Sequence, residues 1–250
     1  MRWRHAAVTS GAVSLVLFAT PAVAQSPNRR LIDSLNEQLI YVALPLTLFV
    51  LAILVYAVVR FRDNDDPEPT AEDPSLEITW TVATAIILLF VGVSAYSVLA
   101  GPYMTSGFHL DGEGGDNPAA IAEDEVVVEV VATQFHWQFT YPEADVTTRN
   151  ELVIPVDEDV TLAMTSRDVI HSLAIQELGI KQDVFPGSKT YVRTTVDTTG
   201  VYQALCIEFC GARHSHMQAN VTVVEDDEYE AWLEEHRGED EVTEAPDVDG

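Results

Sequence analysis

The stretch that decides the fold is CIEFCGARHSHM, residues 206–217. It holds both cysteines of the 250-residue chain, Cys206 and Cys210, and also His214 and Met217. Thiolate, imidazole and thioether are the ligands that copper takes in electron-transfer sites. A mononuclear blue-copper site uses one cysteine, two histidines and a weak methionine, so a second cysteine supplies enough thiolate to bridge two coppers. We expect a copper-binding loop here.

A second histidine must come from elsewhere, and the obvious candidate is His171 in the segment DVIHS, residues 168–172. Other interpretations stay open. Cysteines of exported domains usually form disulfides, but a Cys206–Cys210 bridge would close a very small loop and leave His214 unexplained. Zinc seldom takes the thioether sulfur that Met217 offers. A histidine such as His171 is more often a core residue than a ligand, so its assignment depends on the downstream cysteines.

The chain is strongly acidic, with 40 Asp and Glu against 13 Lys and Arg, a formal charge of -27 and a pI of about 4.3. Such a surface repels nucleic acid, which excludes a nucleic-acid partner. Dense carboxylate with only two lysines, Lys181 and Lys189, indicates a protein from a salt-rich, halophilic source, where repulsion is screened. An acidic docking face for a basic electron carrier is the alternative, and both can hold.

The N-terminus reads as an export signal. A basic start is followed by an apolar run over residues 11–19 and a small-residue cleavage pattern that ends at Ala24. This predicts a signal peptide over residues 1–24. An uncleaved first membrane helix is the alternative.

Two uncharged runs follow, at residues 39–59 and 78–100. Each is long enough to cross a hydrocarbon core of about 30 Å, although Pro45 should bend the first. Arg60 and Arg62 close the first run and favour a cytoplasmic end there. Residues 25–104 are therefore predicted to form a transmembrane hairpin with both ends outside the cytoplasm.

The remaining sequence changes character after a polar, glycine-rich linker at residues 105–120. Residues 121–225 show short segments of period two separated by turns, which is typical of a β-sandwich or barrel. Residues 226–250 predict a short helix and an acidic tail.

Four motifs together resemble the cytochrome c oxidase subunit II family. Residues 206–217 are similar to its CuA loop, DVIHS at 168–172 to its upstream ligand strand, DVFPG at 183–187 to a turn, and EITWT at 77–81 to the start of its second membrane helix. The resemblance covers roughly residues 30–235, in family order and spacing. It implies a membrane-anchored all-β fold, in which a two-helix transmembrane hairpin precedes a cupredoxin-like Greek-key β-barrel.

The resemblance also implies a dinuclear copper centre, CuA. Cys206 and Cys210 would bridge two coppers, and His171 and His214 would each bind one. The weak ligands would be a thioether and a backbone carbonyl. All six positions are filled: His171, Cys206, Glu208 through its carbonyl, Cys210, His214 and Met217. His216 offers a competing imidazole.

Other roles follow from the same resemblance. The Glu208 carboxylate would bind Mg²⁺ at the interface with subunit I, unless it is a plain solvent-facing side chain. Glu77 would mark a proton-path entrance, unless it only caps the membrane edge. Electrons would enter near Trp137 and Phe135, although these aromatic residues could simply be core. Phe135 stands where the family has tryptophan, which leaves the donor open between cytochrome c and a small blue-copper protein.

The implied function is that of subunit II of a haem–copper terminal oxidase in the cell membrane, with two spans and the CuA domain on the extracytoplasmic side. This subunit would contain no catalytic residue of its own. It would take electrons from a soluble carrier and pass them to haem in subunit I, which reduces oxygen to water and translocates protons, with subunit III as a further partner. A copper-free quinol oxidase subunit, a tethered blue-copper carrier and a nitrous oxide reductase domain are the rivals.

Overall fold

The computed structural model describes residues 25–66, 69, 71–101, 103–104, 125–239 and 246. The predicted signal peptide, residues 1–24, and the predicted linker, residues 105–120, lie outside the described residues. Most of the predicted acidic tail also lies outside them.

Two long helices form the N-terminal part. Helix α1 spans Pro27–Phe61 and helix α2 spans Pro74–Leu99. Each begins with proline just after a capping side chain, Ser26 or Asp73, which accepts hydrogen bonds from the first turn. Both helices are long and apolar enough to cross a membrane, and their apolar windows are not covered by the rest of the described chain. Lipid or partner protein must therefore cover them.

Ten strands form the second part. In chain order they are β1 Val126–Thr133, β2 His136–Tyr141, β3 Val146–Arg149, β4 Glu151–Pro155, β5 Asp159–Ser166, β6 His171–Ile175, β7 Ile180–Val184, β8 Thr190–Thr195, β9 Gly200–Cys206 and β10 Gln218–Val224. A short helix, α3, spans Asp226–Glu235. Several strands alternate between buried and exposed residues, the period expected when one face of a sheet is covered.

The strands make two five-stranded sheets with crossing connections. One sheet has the order β3-β2-β1-β5-β8 and the other β4-β10-β9-β6-β7. The β1–β5 and β4–β10 pairs are parallel, and the other pairs are antiparallel. The core between the sheets contains large, fully buried side chains, among them Trp137, Phe139, Leu152, Ile154, Leu162, Met164, Leu173 and Ile175. The fold is thus a two-helix hairpin followed by the cupredoxin-like β-domain that the sequence predicts.

The residues before and at the start of α1 attach to the β-domain. Ser26 donates a hydrogen bond to the Leu178 carbonyl at 2.6 Å. The Asn28 side chain is 1% exposed and donates to the Tyr103 carbonyl at 2.5 Å, while Thr194 of β8 donates to the Asn28 side-chain oxygen at 2.8 Å. We call residues 25–30 the N-terminal latch, because these bonds join the hairpin to the β-domain.

A glycine permits this attachment. Gly179 has φ of +65°, and a β-carbon there would lie 2.9 Å from the Arg29 Cα and backbone nitrogen. Only glycine combines the left-handed backbone with so close an approach. The turn after β6 is therefore shaped to receive the latch.

Candidate metal centre

The predicted ligands meet at one end of the second sheet. Strand β9 ends at Cys206, and β6 begins at His171. The two strands are antiparallel, with Leu173 opposite Cys206, so the start of one lies beside the end of the other. Met217 immediately precedes β10, and the Cys206 amide donates to its carbonyl at 3.0 Å. Strand order thus brings a histidine 35 residues upstream in the chain to the cysteine loop.

The donor atoms form one compact cluster. Cys206 Sγ lies 3.8 Å from His171 Nδ1, 3.3 Å from the Glu208 carbonyl oxygen and 3.9 Å from Cys210 Sγ. On the other side, Cys210 Sγ lies 3.6 Å from His214 Nδ1 and 3.7 Å from Met217 Sδ. Each sulfur therefore has its own histidine and its own weak donor.

These distances fit a metal-binding role. Metal–sulfur and metal–nitrogen bonds of about 2.3 and 2.0 Å, as in zinc sites, place two donors on one metal about 3.5 Å apart at a tetrahedral angle. The observed separations of neighbouring donors run from 3.3 to 3.9 Å. Two soft sulfurs, two imidazoles, a thioether and a carbonyl match copper better than a hard cation. The donor set is therefore chemically suited to copper.

Most of the donor cluster is shielded from solvent. His171 is 0% exposed, and Cys206, Cys210 and Met217 are buried, while His214 is half-buried. Both cysteines are free thiols. Desolvation by burial, and then the neighbouring Cys206 sulfur, raise the pKa of the Cys210 thiol to about 12. A cation is needed to hold such a thiol as thiolate, which couples metal binding to proton release.

His171 is oriented by Asp168. Its Nε2 lies 2.8 Å from the Asp168 carboxylate, so that nitrogen carries the proton and Nδ1 is left free to face the sulfur. Burial alone would raise the pKa of Asp168, but the hydrogen bond from His171 and the amides of Gln134 and Val169 outweigh it and lower the pKa to about 2. Asp168 belongs to the DVIHS motif, but the sequence analysis predicted no role for it. A carboxylate three residues before a candidate ligand histidine was the available signal.

Gln134 supports the loop from the first sheet. Its side-chain amide donates to the Cys210 carbonyl, and its backbone amide donates to Asp168 at 2.7 Å. A β-carbon on Gly211, whose φ is +135°, would lie 2.8 Å from the Gln134 side-chain nitrogen and 3.1 Å from the Phe135 ring. Sequence reasoning missed Gln134, and since the contact spans 76 residues, no local pattern signals it.

The outer side of the loop is exposed. Ile207 is 41% and Phe209 76% exposed, and the Glu208 side chain between them is exposed while its carbonyl faces Cys206. The Phe209 ring meets His214 edge-on, with centroids 5.9 Å apart. His216 is also exposed and contacts Ser215 at 3.2 Å, outside the donor cluster.

The aromatic residues predicted for electron entry lie deeper than a surface patch. Trp137 is fully buried, with its ring centroid 6.0 Å from that of His171, and its indole nitrogen has no hydrogen-bond partner among the described residues. Phe135 is half-buried beside Gly211. Glu77 lies apart from all of these, in the first turn of α2, at the end of the helix away from the β-domain.

Comparison with known proteins identifies the family by two matches, one in each part of the chain. Residues 16–98 match the family model described as cytochrome c oxidase subunit II, transmembrane domain, and residues 144–224 match the model of its periplasmic domain.

Two relatives illustrate the match. Cytochrome c oxidase subunit 2 of Alkalihalophilus pseudofirmus is 33% identical over 205 residues, which cover 81% of this chain and 57% of that protein. The subunit of Synechocystis sp. is 30% identical over 246 residues, covering 84% of this chain and 74% of that protein. The chain thus spans little more than half of the A. pseudofirmus relative and about three quarters of the Synechocystis one.

Among solved structures, the periplasmic domain of subunit II of cytochrome oxidase from Bradyrhizobium japonicum is 26% identical, with a TM-score of 0.44, over 47% of this chain and 96% of that one. The order of the two matched family models makes this a membrane-anchored protein with its β-domain on the extracytoplasmic side. The chain belongs to the cytochrome c oxidase subunit II family.

Proposed function

We propose that this chain is the electron-entry subunit of a haem–copper terminal oxidase and holds a dinuclear CuA centre in the loop between β9 and β10. The observation that supports this proposal is the paired donor set. The two cysteine sulfurs lie 3.9 Å apart, and each has its own imidazole nitrogen within 3.8 Å. A mononuclear blue-copper carrier would leave the second cysteine without a use. A quinol-type subunit would need none of these donors.

The residues divide into two matching halves. Cys206 and Cys210 would hold the copper pair together with the donors next to each sulfur, which are His171 and the Glu208 carbonyl beside Cys206 and His214 and Met217 beside Cys210. When bound, the copper pair supplies a one-electron site whose charge is shared by two metals. The β-domain holds the donors on strand ends and a tightly bonded loop, so little movement is needed when an electron arrives or leaves.

The exposed loop surface supports contact with a catalytic subunit. Ile207 and Phe209 are large apolar side chains on a rigid loop, and Glu208 between them directs its carboxylate to solvent. Burying Phe209 against a partner would be worth about 1.5–3 kcal/mol. We assign this side to subunit I, with the Glu208 carboxylate as a Mg²⁺ ligand at that interface.

The other predicted roles are retained as proposals. Phe135 and Trp137 would lead from the donor side to His171, which Trp137 meets within the core. The donor is cytochrome c or a small blue-copper protein. Glu77, at the end of α2 away from the β-domain, would mark a proton entrance shared with subunit I. We keep the division into a signal peptide (1–24), hairpin (25–104), linker (105–120), CuA domain (121–225) and C-terminal segment (226–250).

As a first prediction, His214→Ala in the purified oxidase lowers copper from two ions per subunit and removes the mixed-valence signal, because Nδ1 of His214 is the imidazole nearest Cys210. The matched variant His216→Ala keeps both ions, since that imidazole is exposed and outside the cluster. The measurement is metal analysis with EPR spectroscopy.

One copper per wild-type subunit would indicate a blue-copper carrier, and none a quinol-type subunit. Loss of copper in His216→Ala with retention in His214→Ala would reverse the ligand assignment.

A further inference from the structure

Two arginines stand out on the β-domain. Arg167 and Arg213 are exposed, and neither forms an ion pair or a side-chain hydrogen bond with any residue that the structure describes. Each other described basic residue of the β-domain takes part in a hydrogen bond, an ion pair or another electrostatic interaction: Arg149, Lys181, Lys189, Arg193 and Arg237. In a chain with 40 acidic and 13 basic residues, free positive charge is scarce, so its position is informative.

Both arginines lie beside the metal centre, on either side of one turn. Arg167 is bonded through its amide to the Ala132 carbonyl at 3.0 Å and precedes Asp168, which accepts from the Gln134 amide. Arg213 comes two residues after Gly211, where the loop packs against Gln134 and Phe135. The turn at residues 133–135 therefore lies next to the chain at both arginines.

This turn is also the proposed route of electron entry. Phe135 lies on it, and the next strand carries Trp137, whose ring meets the ligand His171. The proposed subunit I side is formed instead by Ile207, Glu208 and Phe209. The arginines thus flank the side of the site assigned to the soluble donor.

We propose that Arg167 and Arg213 recognise carboxylates on an acidic electron-donor protein, which docks over the turn at residues 133–135. The inference rests on the proposed function and specifies the charge of the electron donor, which that function leaves open. Guanidinium groups bind carboxylates through two parallel hydrogen bonds, which gives direction as well as attraction. These two guanidinium groups would repel a basic carrier.

The net charge of -27 does not oppose this choice at moderate salt. At about 0.15 M ionic strength the Debye length is about 8 Å, so distant carboxylates are largely screened while charges at the contact still act. The two arginines would then favour the approach of an acidic electron donor to the proposed copper ligands over that of a basic one.

The test uses the intact purified oxidase and one haem protein in two charge states. Native cytochrome c is basic, and the same cytochrome with its lysines succinylated is acidic. Stopped-flow spectroscopy at about 0.15 M ionic strength measures the second-order rate of CuA reduction by each. In the double variant R167E/R213E we expect the rate with the succinylated protein to fall by about tenfold, a modest part of the range for electrostatic steering. The rate with the native protein should rise.

Arg237→Glu is the matched control, because this arginine is exposed and paired with Glu234. It follows helix α3, which packs against Tyr141 at the end of β2 away from the candidate ligands. This variant should alter neither rate by more than about twofold. The neutral variant R167Q/R213Q should show a smaller change of the same sign, which checks that the effect is electrostatic.

Unchanged rates in the double variant, or changes of the same sign with both donors, overturn the inference while leaving the proposed function intact. So does a defect confined to haem reduction after CuA is reduced, which would place the arginines against subunit I. If neither donor reduces the wild-type centre although two coppers are bound, the proposed function itself fails, and the inference with it.

Discussion

At the scale of single residues, the candidate metal centre depends on Asp168, which lies outside the proposed ligand set. The carboxylate of Asp168 holds the proton-bearing nitrogen of His171 at 2.8 Å and leaves the other nitrogen directed at Cys206. Hydrogen bonds from the amides of Gln134 and Val169 keep that carboxylate in place. The tautomer and the ring orientation are therefore prepared before any metal arrives.

Asp168→Asn should weaken copper binding about 10- to 100-fold, because an amide is a poorer acceptor for the imidazole proton. Competition between the oxidase and a copper chelator measures this affinity. Asp183→Asn on the neighbouring strand β7 is the control, since its half-exposed carboxylate pairs with Lys181 and, among the described residues, does not contact the candidate ligands. Equal losses in both variants would show that Asp168 acts only through general charge.

At the scale of elements, the fold joins a membrane hairpin to an exported β-domain through a few hydrogen bonds. The N-terminal latch inserts Asn28 between Tyr103 and Thr194, and Ser26 bonds to Leu178. These contacts connect the start of α1, the segment after α2, strand β8 of the first sheet and the turn between β6 and β7. Hydrogen bonds thereby link the hairpin to the β-domain.

Gly179→Ala should lower the thermal stability of the oxidase subunit and loosen the latch. A left-handed backbone costs a non-glycine residue about 1–2 kcal/mol, and the new β-carbon would also meet the Arg29 backbone at 2.9 Å. Gly187→Ala carries only the backbone cost, because Gly187 has φ of +73° but no atom within 4 Å of such a β-carbon. The difference between the two variants therefore measures the effect of the close approach to Arg29.

Thermal melts and protease sensitivity near residue 30 distinguish the two variants. Equal destabilisation by Gly179→Ala and Gly187→Ala would mean that the close approach of the latch contributes nothing to stability.

At the scale of the whole molecule, charge is the dominant property. With 27 more acidic than basic residues, the protein carries repulsion that the eight ion pairs of Arg and Lys with carboxylates among its described residues cannot balance. Screening by salt removes much of that repulsion, since the Debye length falls to about 3 Å at 1 M. The prediction of a salt-rich source stays a prediction.

The unfolding temperature of the purified protein should therefore rise between 0.1 and 2 M NaCl by roughly several degrees, because about 1 kcal/mol shifts the midpoint of a domain of this size by about 4 °C. Sucrose at the same osmolarity is the control for solvent exclusion. A midpoint that is constant or lower in salt would show that the carboxylates serve a partner instead of stability in brine.

The sequence alone was sufficient to predict the two apolar spans, which the two long helices confirm, and the loop that carries five of the six candidate donors, whose role as metal ligands stays a prediction. These features depend on spacing within one short segment, where chain geometry restricts the possible arrangements. It also predicted a β-domain from period-two patterns, since alternation follows from a half-buried sheet.

Tertiary structure decided the rest. That His171 lies beside Cys206, that Gln134 bonds to Cys210, and that Trp137 is core and not surface all depend on strand order and register. Such contacts join residues tens of positions apart, and many strand orders share one alternating pattern, so only the packed sheets select among them.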